Sequence, residues 1–241
     1  MASAMPTVVL VHGAWSGPWA WDEVRRYLDL ARIPSATVAL RSVGEDIGEL
    51  GGLAADIAAV AAVLDQLTGP FVLVGHSYSG LPVTEIAATR EDVTHVVYVS
   101  AIVIPPGNSL LDAVGGQPPA WWLPAEDSRS IMPGQPDTIL FPECPPAVAA
   151  DAIARLRPQA ARAVREPLRA AGYGTKPATY VVCERDAALP PDVARAMAAL
   201  AQAATVGLDA DHHPMLSRPA ELALILAGVV ARTTHAVPAM S

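Results

Sequence analysis

Six short runs of branched and aromatic apolar residues recur along the chain, and alanine-rich stretches with helical spacing lie between them. No other feature narrows the fold as far. Strands that read as unbroken apolar runs are buried on both faces, which happens in a mainly parallel sheet whose crossovers are helices. The runs are Thr7 to Val11, Ala36 to Leu40, Phe71 to Gly75, Val93 to Ser100, Ala178 to Cys183 and Ala204 to Leu208. The helical stretches are Ala20 to Ala31, Gly52 to Leu67, Tyr78 to Thr89, Pro191 to Gln202 and Ser217 to Ala231. Ser217 reads as the N-cap of the last, with Pro219 tolerated in its first turn. The expectation is an α/β fold with helices on both faces of the sheet.

One segment breaks this rhythm. Residues 105–176 are dense in proline, carry the cluster "PPAWWLP" and a helical pattern near Pro146 to Ala171, and show no clear core strand. They are expected to form a small lid inserted into a core made of residues 1–104 and 177–241. A chain of 241 residues suits one such domain better than two.

Charge and leader signals exclude several classes. A net charge of −8 with a single lysine, Lys176, gives a polyanion nothing to hold, so nucleic acid is not an expected partner. Residues 1–11 lack a basic n-region, and the apolar segment Leu222 to Val230 is too short to span a bilayer. No membrane association and a cytoplasmic location are expected. Cys144 and Cys183 have no Cys or His at metal-ligand spacing and read as free thiols, Cys183 within the core.

The stretch "VLVGHSYSGL" brackets Ser77 with Gly75 and Gly80 after an apolar run, and reads as a strained strand-to-helix corner of the Gly-x-Ser-x-Gly type. A serine at such a corner becomes a nucleophile when an imidazole takes its proton and a carboxylate holds that imidazole. Of six histidines, His12 and His76 flank the serine, His95 falls within a strand run and His235 in a tail expected to fray. The pair His212 and His213 follows the last strand, where loops reach over the sheet edge that carries the sites of open α/β sheets. His212 is favoured slightly, since His213 adjoins the helix-starting Pro214. The acid belongs on the loop after the preceding strand, and Asp186 there is clear of the strand whereas Glu184 is still directed by it. The loop after "VTHVVYVSA" offers Ser100 and no carboxylate. Oxyanion donors are expected from the Ala14 and Tyr78 backbone N–H groups, with Gly13 permitting close approach. Trp15, Trp121 and Trp122 are candidate walls of a substrate pocket, with plain packing as the alternative.

Taken together, "VLVHGAWSGPWAW", "VGHSYSG", "YVVCERDAALP" and "DADHHPMLSRP" resemble the branch of the α/β-hydrolase superfamily that holds plant methylesterases, hydroxynitrile lyases and related bacterial serine hydrolases. The resemblance implies the chain order Ser77, Asp186, His212 for nucleophile, acid and base, and it resolves the histidine pair in favour of His212. It further implies oxyanion donors at Ala14 and Tyr78. The acyl-serine chemistry needs no metal or organic cofactor, the expected partner is a small-molecule substrate, and an exposed lid helix could support a homodimer. The lyases carry threonine where this chain has Gly13 and lysine where it has His213. The expected activity is hydrolysis of a small or medium apolar carboxylic ester through an acyl-Ser77 intermediate. The alternatives are a lyase or tailoring enzyme that uses the same triad for carbon–carbon cleavage or cyclisation, and a ligand-binding protein that has kept the fold.

Overall fold

The structure is a computed structural model and describes residues 5–235. Strands β1 (Thr7–Val11), β2 (Ser35–Val38), β3 (Phe71–His76), β4 (Val93–Val99), β8 (Ala178–Cys183) and β9 (Ala204–Leu208) form a six-stranded sheet in the order β2-β1-β3-β4-β8-β9. Every neighbouring pair is parallel. The order reverses at β1, which has β2 on one side and β3 on the other. A crevice therefore opens at the carboxyl ends of β1 and β3, where open α/β sheets bind ligands.

The alternation within each strand explains the two helical layers. Val9, Val11, Leu73 and Tyr98 face α2 (Leu53–Asp65), α3 (Gly80–Thr89) and α7 (Pro191–Leu200). Val8, Leu10, Val74 and Val99 face the other way, onto Val24 and Leu28 of α1 (Asp22–Leu30) and Leu222, Leu226 and Val229 of α9 (Pro219–His235). Strands β1, β3, β4 and β8, covered on both faces, are apolar almost throughout, whereas the edge strands β2 and β9 are partly open to solvent. Among the described residues no helix is long and apolar enough to cross a membrane.

Several expected boundaries move, each for a visible reason. Strand β2 stops at Val38 because the Leu40 N–H donates to His12 Nε2 at 3.1 Å and leaves the ladder. The first helix starts at Asp22, since Pro18–Trp21 form a separate 3₁₀ turn. Ser217 is not the N-cap of the last helix. It ends the short α8 (Pro214–Ser217), its hydroxyl is taken by Asp211 Oδ1 at 2.8 Å, and Pro219 opens α9. His235, expected in a frayed tail, has its backbone in α9.

Between β4 and β8 the chain is less irregular than its prolines suggest. It forms α4 (Leu110–Ala113), α5 (Pro136–Ile139), α6 (Pro146–Arg155) and a separate antiparallel sheet of β5 (Trp122–Pro124), β6 (Ser130–Pro133) and β7 (Gln159–Ala160). The helical pattern expected to reach Ala171 ends at Arg155. Leu156 is extended, and Pro158 two residues on cannot continue a helix. Main-chain bonds fasten this segment to the core: Arg157 N to Trp15 O at 2.9 Å and Ala160 N to Ser42 O at 2.7 Å. Side chains add to them, with Trp15 Nε1 donating to Ile131 O at 2.9 Å and Glu166 Oε2 accepting from the Ala54 amide at 3.1 Å.

Candidate active site

The chain passes from β3 into α3 through a single 3₁₀ turn, Ser77–Ser79, and Ser77 stands at its start with φ of 52°. A left-handed φ is costly for a residue with a Cβ and is held only where the surroundings enforce it. They do so here with hydrogen bonds from Ile102 N to Ser77 O at 2.9 Å and from Ser79 Oγ to Val11 O at 2.8 Å.

The corner departs from the strict Gly-x-Ser-x-Gly spacing by one position, because Ser79 stands where the second glycine would and Gly80 follows it. The hydroxyl of Ser79 gives that position a use, accepting from the His76 amide at 2.7 Å. Gly80 is needed for close approach, since a Cβ there would lie 2.2 Å from Ile102 O.

Three residues far apart in sequence meet at this corner. His212 Nε2 is 2.9 Å from Ser77 Oγ, and His212 Nδ1 is 2.7 Å from Asp186 Oδ2. With Nδ1–H donating to the carboxylate, Nε2 is left to accept the serine proton. Asp186 Oδ1 accepts from the Ala188 and Leu189 amides, each at 2.8 Å, and Oδ2 also accepts from the Ser100 hydroxyl. Burial opposes the ionisation of Asp186, but the charge of His212 and these hydrogen bonds outweigh it and hold the carboxyl below its ordinary range.

His213, the other candidate of the pair, turns away from Ser77. Its Nδ1 faces Leu140 O and its Nε2 faces Ser16 Oγ, both at 3.3 Å. Burial, then the neighbouring His76 and His212, pushes its pKa well below the ordinary value. His76 donates Nε2–H to His212 O at 2.7 Å and is driven down to about 3 by burial and by His212. His12 sits near 4 through burial. Both are neutral supports of the loops around the site.

Ala14 and Tyr78 both line the cavity beside Ser77. Tyr78 lies in the first turn of the 3₁₀ helix, where amides lack intrahelical partners, and the Ala14 N–H makes no backbone hydrogen bond among the described residues. Gly13 is required for proximity and not for a turn. Its φ is not left-handed, yet a Cβ would meet His76 Nδ1 at 2.8 Å and Ser77 Cβ at 2.9 Å.

The cavity has a volume of about 250 Å³, and its walls include Trp15, Trp121, Trp122, Leu110 and Met197. The tryptophans pack edge to face, with Trp15 centroids 5.6 Å from Trp121 and 6.1 Å from Trp122. No carboxylate or cationic lysine or arginine side chain is among its lining residues.

Sequence reasoning passed over three polar residues that hold this arrangement. Ser100 stands on a loop that offers no carboxylate, and its hydroxyl meets Asp186 instead. Asp211 is fully buried and accepts from the amides of Glu143 and His213 and from Ser217 Oγ, joining the inserted segment to the histidine loop. Asp56, also fully buried, accepts from the Tyr78 hydroxyl at 2.7 Å and from Ser42 N and Oγ at 2.9 and 2.5 Å. Burial pushes its carboxyl up, against the effect of those bonds. The only available signal was an aspartate on the apolar face of an alanine-rich helix.

A model described as "Alpha/beta hydrolase family" matches residues 8–223. The alpha/beta hydrolase nvfD of Aspergillus novofumigatus is 27% identical over 231 residues, spanning 89% of this chain and 92% of that protein. A carbendazim hydrolyzing esterase of Nocardioides sp. is 30% identical over 200 residues, spanning 75% of this chain and 81% of its own. The crystal structure of a pyrethroid hydrolase from Sphingobium faniae superposes with a TM-score of 0.81 at 21% identity, covering 95% of this chain and 98% of that one.

Proposed function

The chain belongs to the alpha/beta hydrolase family, and from that premise we propose that it hydrolyses small apolar carboxylic esters through an acyl intermediate on Ser77. The observation that carries this reading is the unbroken relay from Ser77 Oγ through His212 to Asp186, at 2.9 and 2.7 Å. As Ser77 Oγ attacks the ester carbonyl, His212 Nε2 takes its proton, and the Ala14 and Tyr78 amides receive the oxyanion. Collapse of the tetrahedral species expels the alcohol, which leaves with the proton held by His212. Water then gives a proton to the same nitrogen as it attacks the acyl carbonyl, and the second tetrahedral species collapses to the acid as the bond to Ser77 Oγ breaks and that oxygen takes the proton back from His212.

Substrate size and polarity follow from the walls. A cavity of about 250 Å³ is at the small end for ligand sites and is lined by tryptophan and aliphatic side chains. It suits a neutral ester with one aromatic or short aliphatic group. The carbendazim hydrolyzing esterase among the relatives supports ester-type substrates.

The alternative of cyanohydrin cleavage is disfavoured by chemistry at two positions. Gly13 leaves no room for the threonine of the lyases this chain resembles, and the neutral, buried His213 offers no positive charge for a leaving cyanide.

Intact-mass analysis after fluorophosphonate treatment, together with rates on a series of 4-nitrophenyl esters, tests the proposal. The wild type is expected to take one adduct and to prefer short and aromatic acyl groups, and Ser77→Ala to do neither. An adduct that persists in Ser77→Ala, or release of cyanide from mandelonitrile without ester hydrolysis, would overturn it.

A further inference from the structure

The two oxygens of Asp186 are filled by different kinds of donor. Oδ1 takes the two amides of its own loop, whereas Oδ2 takes two side chains from other elements, His212 Nδ1–H and the Ser100 hydroxyl. Ser100 comes from the end of β4, is fully buried, and adopts a φ of 41°. That conformation is unfavourable for serine and persists only where it is imposed. Here the Ser100 amide donates to Val181 O at 2.9 Å, so the neighbouring strand holds the backbone in the pose that aims the hydroxyl at the acid. Ser100 is not part of the cavity wall; its hydroxyl reaches Asp186 and, beside it, the protonated Cys183 thiol.

We propose that Ser100 is a positioning residue that sets the pH threshold of the triad, by sharing the Asp186 oxygen on which His212 depends. The inference rests on the reading of Ser77, His212 and Asp186 as a catalytic triad. Its physical basis is that an O–H directed at Oδ2 takes up part of the negative potential that would otherwise stabilise an imidazolium on His212. The same bond fixes the plane of the carboxylate, so that Oδ2 and not Oδ1 meets the ring. Removing the hydroxyl leaves the full charge of the carboxylate facing the imidazole, and the acid limb of activity then moves to a higher pH.

Few other groups around this cluster titrate in the neutral range. From β8, Cys183 and Tyr180 are pushed up by burial and stay protonated. From the end of β3, His76 is held down to about 3, and His12 and His213 beyond it are also held neutral. Asp211, next to His212, has its oxygens filled by donors of its own. Arg185 points to the surface and pairs with Asp209 and Glu143. A change in the acid limb of the pH profile on removing the Ser100 hydroxyl therefore belongs to the triad and not to these neighbours.

The test compares Ser100→Ala and Ser100→Gly with the wild type. Both lose the hydroxyl, but only glycine is free of the left-handed penalty, so an effect common to both belongs to the hydroxyl. Two pH profiles are measured: the rate of Ser77 labelling by a fluorophosphonate, and kcat/KM on 4-nitrophenyl acetate. In both variants the acid limb is expected to move up by about half a unit to one unit, with KM unchanged. Ester hydrolysis with limbs that superimpose on the wild type's would overturn this inference and leave the ester reading standing. Labelling that shows the shift in a protein that cleaves no ester would support it and overturn the ester reading. A wild-type serine that takes no label would overturn both.

Discussion

At the scale of single residues, position matters more than residue type. Asp186→Asn keeps the shape of the acid but replaces the acceptor facing His212 Nδ1 with an amide that can stabilise neither the required tautomer nor the imidazolium. Steady-state kinetics is expected to show kcat reduced on the order of 10³ to 10⁴-fold, with KM changed little. Gly13→Ala tests proximity in the same way. The added Cβ starts 2.9 Å from Ser77 Cβ and must push the serine aside. A displacement of that kind is expected to lower kcat by about 10²-fold, and an unchanged rate would show that the loop yields without cost. The sequence made Ser77, Asp186 and the pair His212 and His213 readable because each stands just past an apolar run, where a sheet delivers side chains to one edge; the choice within the pair came from the family resemblance. Ser100 stands at such a place too. It was unreadable because its role depends on which side of Asp186 it meets, and no local pattern encodes that.

Secondary-structure elements meet this site through glycine contacts and buried acceptors. In Gly80→Ala the new Cβ would clash with the backbone at Ile102, so α3 would have to move from the strand that presents Ser77. Thermal denaturation is expected to show a loss of about 1–3 kcal/mol, together with reduced activity. Asp56 joins α2, the loop after β2 and the serine corner through its bonds to Ser42 and Tyr78. Asp56→Ala leaves those donors buried and unpaired, at about 1–3 kcal/mol for each. A variant as stable as the wild type would show that water fills the space. Central strands were legible because both faces of a parallel sheet must be apolar, and β1 and β8 match their sequence runs end to end. The segment between β4 and β8 was legible only as an interruption. Its strands are short, two to four residues, and pair with one another, so neither length nor periodicity marks them.

For the whole molecule, buried histidines couple stability to acidity. His12 and His95 are held near 4 and His76 near 3, each chiefly by burial, and His213 lies well below its ordinary value. Their folded pKa values lie below the unfolded one, so between about pH 6.5 and 4 the unfolded chain binds more protons. Stability accordingly falls as pH drops through that window, each histidine steepening the loss by up to about 1.4 kcal/mol per pH unit. Asp186, with its folded pKa depressed, contributes above its unfolded value and loses that contribution only at lower pH still. Calorimetry from pH 7 to 4 is expected to show a steep decline in Tm, made shallower by His95→Gln, which lies on β4 away from the serine. The fastening of the segment between β4 and β8 has a consequence of another kind. It is bonded to the core at Trp15, Ser42, Ala54 and Asp211, sites scattered over the first 60 residues and the histidine loop. A homologous segment grafted into this chain would arrive without the partners it evolved against. New substrate preferences in this lineage are therefore expected to arise by point substitution in the tryptophan walls, and to be lost when whole segments are exchanged by recombination.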